Sequence, residues 1–222
     1  MQWLSRIFNR AASAPQSAPA IVLFTNTLTH KTETFVPLRS GTALMYTCGP
    51  TVYGQQHIGN LRPGFVADLI ARTLEGAGYR VKRVINITDV GHMVGDTEEG
   101  EDKIALGAAR EQRTPEEISA HYAKLFIDDL ADLNIDTKSI HFPRATEYIK
   151  EQIALAKTLE DKGYAYRIKE GLYFDVSKFP GYGKLGGISE AKLEAGARVG
   201  LVRGKHNAAD FVLWRAAKPN DL

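Results

Sequence analysis

The sequence predicts an α/β fold built on a parallel sheet, and three consecutive segments carry that prediction. Residues 42–48 (TALMYTC) form a short apolar run that stops at Gly49-Pro50, as a strand cut off by a turn would. Residues 58–77 repeat apolar side chains at helical spacing, with Phe65, Val66, Leu69, Ile70 and Leu74 on one face. Residues 80–88 (RVKRVINIT) alternate in part and read as a second strand. Strand, loop, helix and strand in about 45 residues make a βαβ unit, which implies parallel strands and a right-handed crossover. Ligands in such folds bind beyond the carboxyl ends of the strands. Cys48 and Thr88 fall at those two ends.

The flanking segments follow from similar signals. Residues 21–38 hold β-branched and aromatic side chains around a polar middle, which fits an extended pair. Pro63 is tolerable in the 58–77 helix because it lies near the first turn. Gly76 and Gly78 end that helix. Residues 91–113 are charged and glycine-rich, a loop running into a helix. Thr114, Pro115 and Glu117 form a capping-box pattern that starts a helix reaching about Leu133. A further helix is expected at 145–163 and a hairpin at 164–176. Residues 177–222 are rich in Gly, Lys and Ala, with only short apolar runs.

Composition bounds the class without deciding the function. The 222 residues are 44% hydrophobic and carry a formal net charge of +2, an ordinary soluble balance that neither demands nor excludes nucleic acid. A single cysteine, Cys48, rules out an internal disulfide. No stretch reaches the roughly 18 apolar residues expected of a membrane-spanning helix. Residues 1–20 contain Arg6, Arg10, Pro15 and Pro19 and no acid. They read as a disordered leader on a cytoplasmic protein, with an organellar transit peptide as the alternative.

The segment that bears chemistry is 46–60, YTCGPTVYGQQHIGN. His57-Ile58-Gly59-Asn60 sits where a strand feeds a helix. The free N–H groups and partial positive charge of a helix N-terminus suit an anion such as phosphate. His57 and Asn60 can donate hydrogen bonds to charge developing at phosphorus, and Gly59 admits close approach to the backbone. From the tetrad alone a second reading stays open, in which His57 is simply a cap in a polar loop. Cys48 alone is equally compatible with a small buried hydrophobe. His30, His121, His141 and His206 show no ligand spacing with Cys48, and His92 is one histidine in a charged loop.

Cys48 to Tyr53 (C-G-P-T-V-Y), followed by the spacer Gly54-Gln55-Gln56 and then His57 to Asn60, resembles the signature region of the cysteinyl class I aminoacyl-tRNA synthetases. Further stretches match that family in order. They are Asn86-Ile87-Thr88-Asp89, Pro143-Arg144-Ala145-Thr146-Glu147 and Lys162-Gly163-Tyr164-Ala165-Tyr166. Tyr173-Phe174-Asp175-Val176, Tyr182-Gly183-Lys184-Leu185, Ala195-Gly196-Ala197-Arg198-Val199 and Asp210-Phe211-Val212-Leu213-Trp214 follow. The resemblance covers residues 21–222.

It implies a Rossmann-like catalytic domain, its first half at 21–140, with an α+β connective insertion at 141–222 behind the 1–20 leader. It implies activation of L-cysteine with ATP and Mg to cysteinyl-adenylate, then transfer to tRNA(Cys). Carried over by position, Cys48 is a zinc ligand, and Gly49, Thr51 and Thr88 line the cysteine site. His57, Gly59 and Asn60 hold the ATP phosphates, with His57 and Asn60 catalytic. Asn60 replaces the second histidine of the commoner tetrad, and it can donate a hydrogen bond but cannot carry charge. The family's W-H-I-E-C segment, K-M-S-K-S loop and anticodon-reading domain come later in its order than Leu222. The expectation is that the 222 residues alone are poorly stable and nearly inactive. No membrane partner is implied, and the oligomeric state is left open. A cysteine ligase acting on an amino sugar and other H-x-G-H nucleotidyl transferases are the neighbouring readings.

Overall fold

The computed structural model describes residues 19–90, 103–186 and 203–216. Strands β1 (Leu23–Asn26) and β2 (Lys31–Thr34) pair antiparallel, the extended pair expected at 21–38. β3 (Thr42–Thr47), helix α1 (Ile58–Gly76) and β4 (Arg80–Ile85) then form the predicted βαβ unit, with β3 and β4 parallel from Thr42↔Arg80 to Thr47↔Ile85. Helices α2 (Lys103–Glu111) and α3 (Pro115–Asp132) follow. The short strand β5 (Ile140–His141) joins the other edge of β4, also parallel, so the sheet order is β3-β4-β5.

α3 starts as its sequence dictates. The Thr114 hydroxyl accepts from the Glu117 N–H, and the Glu117 carboxylate accepts from the Thr114 N–H. Its inward stripe is Ile118, Tyr122, Phe126 and Leu130, every fourth residue. That stripe packs with Ile85, Ile87, Ile140 and Val52 in one core. Val52 is wholly buried although it lies in the loop after β3. Burying a side chain of that size is worth about 1.5 kcal/mol or more, so Val52 fixes the middle of the loop that carries the predicted site.

The buried face of α1 differs from the expected one. Phe65, Val66 and Leu69 are exposed, and the helix buries Gly64, Ala67, Asp68 and Ala71 together with Leu74. Small side chains let the helix lie close to the strands. Asp68 is tolerated there because it is paired. It is 6% exposed, accepts from Arg83 Nη1 of β4 at 2.7 Å, and accepts from Arg72 Nε at 2.6 Å. Arg72 also donates to the Asn134 carbonyl just past α3. Apolar periodicity alone could not reveal an ionic face.

β3 is also less buried than expected. Thr42 and Ala43 are buried, whereas Leu44 and Tyr46, two residues apart and so on one face of the strand, are exposed.

The remaining described residues form a second, antiparallel arrangement. The expected helix at 145–163 divides into a 3-10 turn at Ala145–Tyr148 and helix α4 (Ile149–Asp161). The hairpin at 164–176 is present as β6 (Ala165–Ile168) and β7 (Gly171–Phe174). β8 (Phe211–Arg215) adds to β7, a strand that the short apolar run at 211–214 had not announced. The Ala195–Val199 stretch, His92 and nearly all of the 1–20 leader lie outside the described residues. Among the described residues no helix is long and apolar enough to cross a membrane.

Candidate active site

The site-bearing loops stand at the carboxyl ends of the parallel strands. Past Thr47 and Ile85 the chains stay in parallel register without forming regular strand. The Thr88 N–H donates to the Pro50 carbonyl at 3.0 Å, and the Val52 N–H donates to the Thr88 carbonyl at 3.2 Å, bridging Thr51 to Thr88. On the other side of this segment the Ile87 N–H donates to the Pro143 carbonyl, and the Ala145 N–H donates to the Ile87 carbonyl. The N-I-T-D and P-R-A-T-E stretches, 57 residues apart, are therefore one physical unit. Asp89 completes it, accepting from the Thr146 N–H at 3.0 Å and the Thr146 hydroxyl at 2.7 Å.

Gly49 explains itself by proximity. A Cβ there would lie 1.7 Å from the Asn86 carbonyl oxygen, so only glycine lets the two strand ends meet. The Gly49 N–H donates to Asn86 Oδ1 at 2.9 Å, and the Tyr46 hydroxyl donates to the same oxygen at 3.0 Å. Asn86 Nδ2 in turn donates to Thr88 Oγ1 at 3.2 Å. Gly49 and Thr88 are thus joined through Asn86, and Thr51 is tied to Thr88 by the backbone bridge. The sequence reading did not place Asn86 in the site. The usable signal was its position, the residue directly after β4 and beside the end of β3.

The His57 tetrad occupies the N-terminus of α1, as predicted. His57 is the N-cap, its Nδ1 accepting from the Gly59 N–H at 3.1 Å, while Asn60 Oδ1 accepts from the His57 N–H at 3.2 Å. The capping reading and the ligand reading are therefore compatible. With Nδ1 committed as an acceptor, the ring proton of a neutral His57 belongs on Nε2. Asn60 likewise spends its oxygen on the cap and keeps its amide hydrogens. Among the described residues both side chains keep donors without a partner at a helix N-terminus, and both residues are exposed.

Gly59 also serves the cap. A Cβ at Gly59 would come within 2.9 Å of His57 Cε1, so glycine here makes room for the imidazole. Gln56 steadies the approach to the cap by donating to the Gly54 carbonyl at 3.0 Å.

Cys48 is exposed and is not the small buried hydrophobe that a lone cysteine often is. A zinc site takes three or four protein ligands. Among the described residues no three His, Cys, Asp or Glu side chains come together. The described residues do not by themselves make a zinc site.

Comparison with known proteins agrees with this geometry. Residues 34–222 match the family described as the tRNA synthetases class I (C) catalytic domain. The chain is 45% identical over 203 residues to a cysteine–tRNA ligase of Chlorobium luteolum, an alignment covering 91% of this chain and 42% of that protein. It is 42% identical over 208 residues to one of Zymomonas mobilis, covering 94% and 39%, and 45% identical over 196 residues to one of Clostridioides difficile, covering 88% and 40%. The chain spans about two fifths of the length of these curated relatives. It belongs to the class I (C) family of tRNA synthetases, whose catalytic domain it matches.

Proposed function

We propose that this chain carries the amino acid activation site of a cysteine–tRNA ligase. Residues 21–140, with β5 and the 143–146 segment that pairs against the same strand ends, are the first half of the nucleotide-binding catalytic domain, and the chain beyond them belongs to the insertion that approaches the acceptor end of tRNA(Cys). The reaction joins a carboxylate oxygen of L-cysteine to the α-phosphorus of ATP. The α–β phosphoanhydride bond breaks, and pyrophosphate leaves. The cysteinyl group then passes to a hydroxyl at the 3′ end of the tRNA as the acyl–phosphate bond breaks and AMP leaves.

One observation carries this reading. His57 and Asn60 cap α1 with one polar atom each, and among the described residues their remaining donors at the helix N-terminus have no partner. Such donors stabilise negative charge that grows on the phosphate oxygens as the α-phosphorus is attacked. Thr51, Thr88 and Gly49, at the strand ends, form the amino acid side of the site. Cys48 is the residue suited to give zinc a thiolate, the remaining ligands lying outside the described set. Zinc prefers a sulfur ligand to the hydroxyl of serine, which suits a cysteine enzyme.

The test is exchange of labelled pyrophosphate into ATP by the full-length protein, with cysteine and with serine. Exchange with cysteine alone supports the reading, and equal exchange with both amino acids sinks it. The metal has its own readout. Zinc content measured by atomic emission should fall in Cys48→Ser, and an unchanged content would remove Cys48 from the ligand set.

A further inference from the structure

The polar chain beside Gly49 has a direction, and that direction bears on how the substrate is read. The Gly49 N–H can only donate, so the Asn86 side-chain atom facing it at 2.9 Å must be the oxygen. The Tyr46 hydroxyl donates to the same oxygen. The other end of the amide is then NH₂, which has no lone pair to offer, and Thr88 Oγ1 must accept from it at 3.2 Å. Thr88 therefore keeps its own hydroxyl proton, and no acceptor for that proton is found among the described residues. Thr88 is half-buried and stands at the carboxyl end of β4, where folds of this class bind ligands.

We propose that Asn86 is a positioning residue that holds Thr88 as a hydrogen-bond donor to the carboxylate of the amino acid substrate. The inference rests on the placement of the cysteine site at Gly49, Thr51 and Thr88. Of the polar groups on cysteine at neutral pH, the ammonium has no lone pair and the sulfur is a weak acceptor. The carboxylate is the group a committed donor can address, and it is also the group that attacks phosphorus. An aspartate at position 86 would reverse the polarity. Its carboxylate can still accept from the Gly49 N–H and the Tyr46 hydroxyl, but it would capture the Thr88 proton instead of donating to the oxygen.

The experiment is a double-mutant cycle in the full-length protein, read as KM for cysteine and kcat in pyrophosphate exchange. Cysteamine, which is cysteine without its carboxylate, serves as a competitive probe. Thr88→Val should raise KM for cysteine about tenfold, the worth of a hydrogen bond to a charged group, and leave the cysteamine inhibition constant unchanged. Asn86→Asp should raise KM for cysteine by a similar factor. Its penalty should shrink at least about fivefold in the Thr88→Val background, because the two act on one interaction.

An equal Asn86→Asp penalty in both backgrounds would mean charge repulsion or general loosening, and would overturn the role of Asn86 while leaving Thr88 in the site. Unchanged KM in Thr88→Val would instead remove Thr88 from the site, and the inference with it. Asn86→Ala carries no charge and completes the same cycle if the aspartate variant does not fold. It should couple to Thr88 in the same direction, and additivity there would equally overturn the proposal.

Discussion

Two buried carboxylates, one in the parallel-sheet region and one in the antiparallel region, are satisfied in opposite ways. Asp68 on α1 faces two guanidinium groups, from Arg83 and Arg72. Asp210, just before β8 and 2% exposed, is held by neutral donors: the Tyr166 hydroxyl at 2.6 Å, the Val176 N–H at 3.0 Å and the Asn207 N–H at 2.9 Å. Around Asp210 the hydrogen bonds close on one another. Tyr166 donates to Asp210, accepts from the His206 N–H, and stacks on the His206 ring at 3.7 Å.

In the parallel region the ion pair lies deep, between α1 and β4, and three polar groups at the strand ends and the start of α1 have no partner among the described residues. These are His57 Nε2, the Asn60 amide hydrogens and the Thr88 proton. A closed network is scaffold, whereas a network with unspent donors is where a ligand can still bind. The contrast predicts that scaffold variants act on stability and strand-end variants act on rate.

The largest expected effect is on the ion pair. Asp68→Ala leaves Arg83 charged and 7% exposed, with its Nη2 already lacking a partner among the described residues. Breaking a buried pair by removing one member costs about 3–5 kcal/mol. A fall of that size in the urea unfolding free energy of the full-length protein is expected. Replacing both Asp68 and Arg83 by apolar residues of similar volume should recover most of it. A loss below that caused by Asp210→Ala would reverse the ranking of the two networks.

Next comes His57→Ala at the open end. Removing one preorganised donor should lower kcat for pyrophosphate exchange about 100- to 1,000-fold. The lost cap costs only about 1 kcal/mol of stability. A stability loss with kcat intact would mean that His57 is a cap and nothing more, and the contrast between open and closed networks would fail at its central residue.

How far these regions could be read from the sequence depended on whether a feature was local. The capping box at Thr114, the β3–α1–β4 unit and the β6–β7 hairpin are set by residues close in the chain, and each was legible. The cap at His57 was only the second reading, and its Asn60 half was not read. The approach of the segments that follow Cys48 and precede Thr88 was legible because parallel strands bring their carboxyl ends together, whereas Gly49 and Thr51 were singled out only through the family resemblance. What was missed is non-local. The Arg83 partner that makes Asp68 a buried residue sits 15 positions away, so α1 was assigned the wrong face. The tie from Asp89 to Thr146 and the pairing of β8 with β7 span longer separations still. Neither leaves a periodic trace. Asn86 escaped because its role comes from the approach of Gly49, a fact of packing.

A third and smaller effect tests the closed network directly. Asp210→Ala would strand three donors, and each unsatisfied buried group costs about 1 kcal/mol or more. A stability loss of about 3 kcal/mol is expected, with KM for cysteine unchanged. A raised KM would show that the antiparallel region reaches the amino acid site.

The smallest effect is a pH dependence. Burial, and then the hydrogen bond to Asp210, push the Tyr166 hydroxyl well above the ordinary tyrosine range. The His206 N–H opposes them, but by less. A raised value means that the folded state holds its proton longer than the unfolded chain does. Tyr166 therefore stabilises the fold in full below pH about 10, the unfolded value, and this contribution is lost as pH rises beyond it. The slope for one proton cannot exceed about 1.4 kcal/mol per pH unit. Unfolding free energies measured between about pH 9 and 11, on either side of the unfolded tyrosine value, should fall more steeply for the wild type than for Tyr166→Phe. The variant should start about 1 kcal/mol lower because it has lost the bond to Asp210. Equal slopes would mean that Tyr166 ionises as freely in the fold as in the unfolded chain. The network around Asp210 would then be open to solvent, and its difference from the strand-end site would be one of position alone.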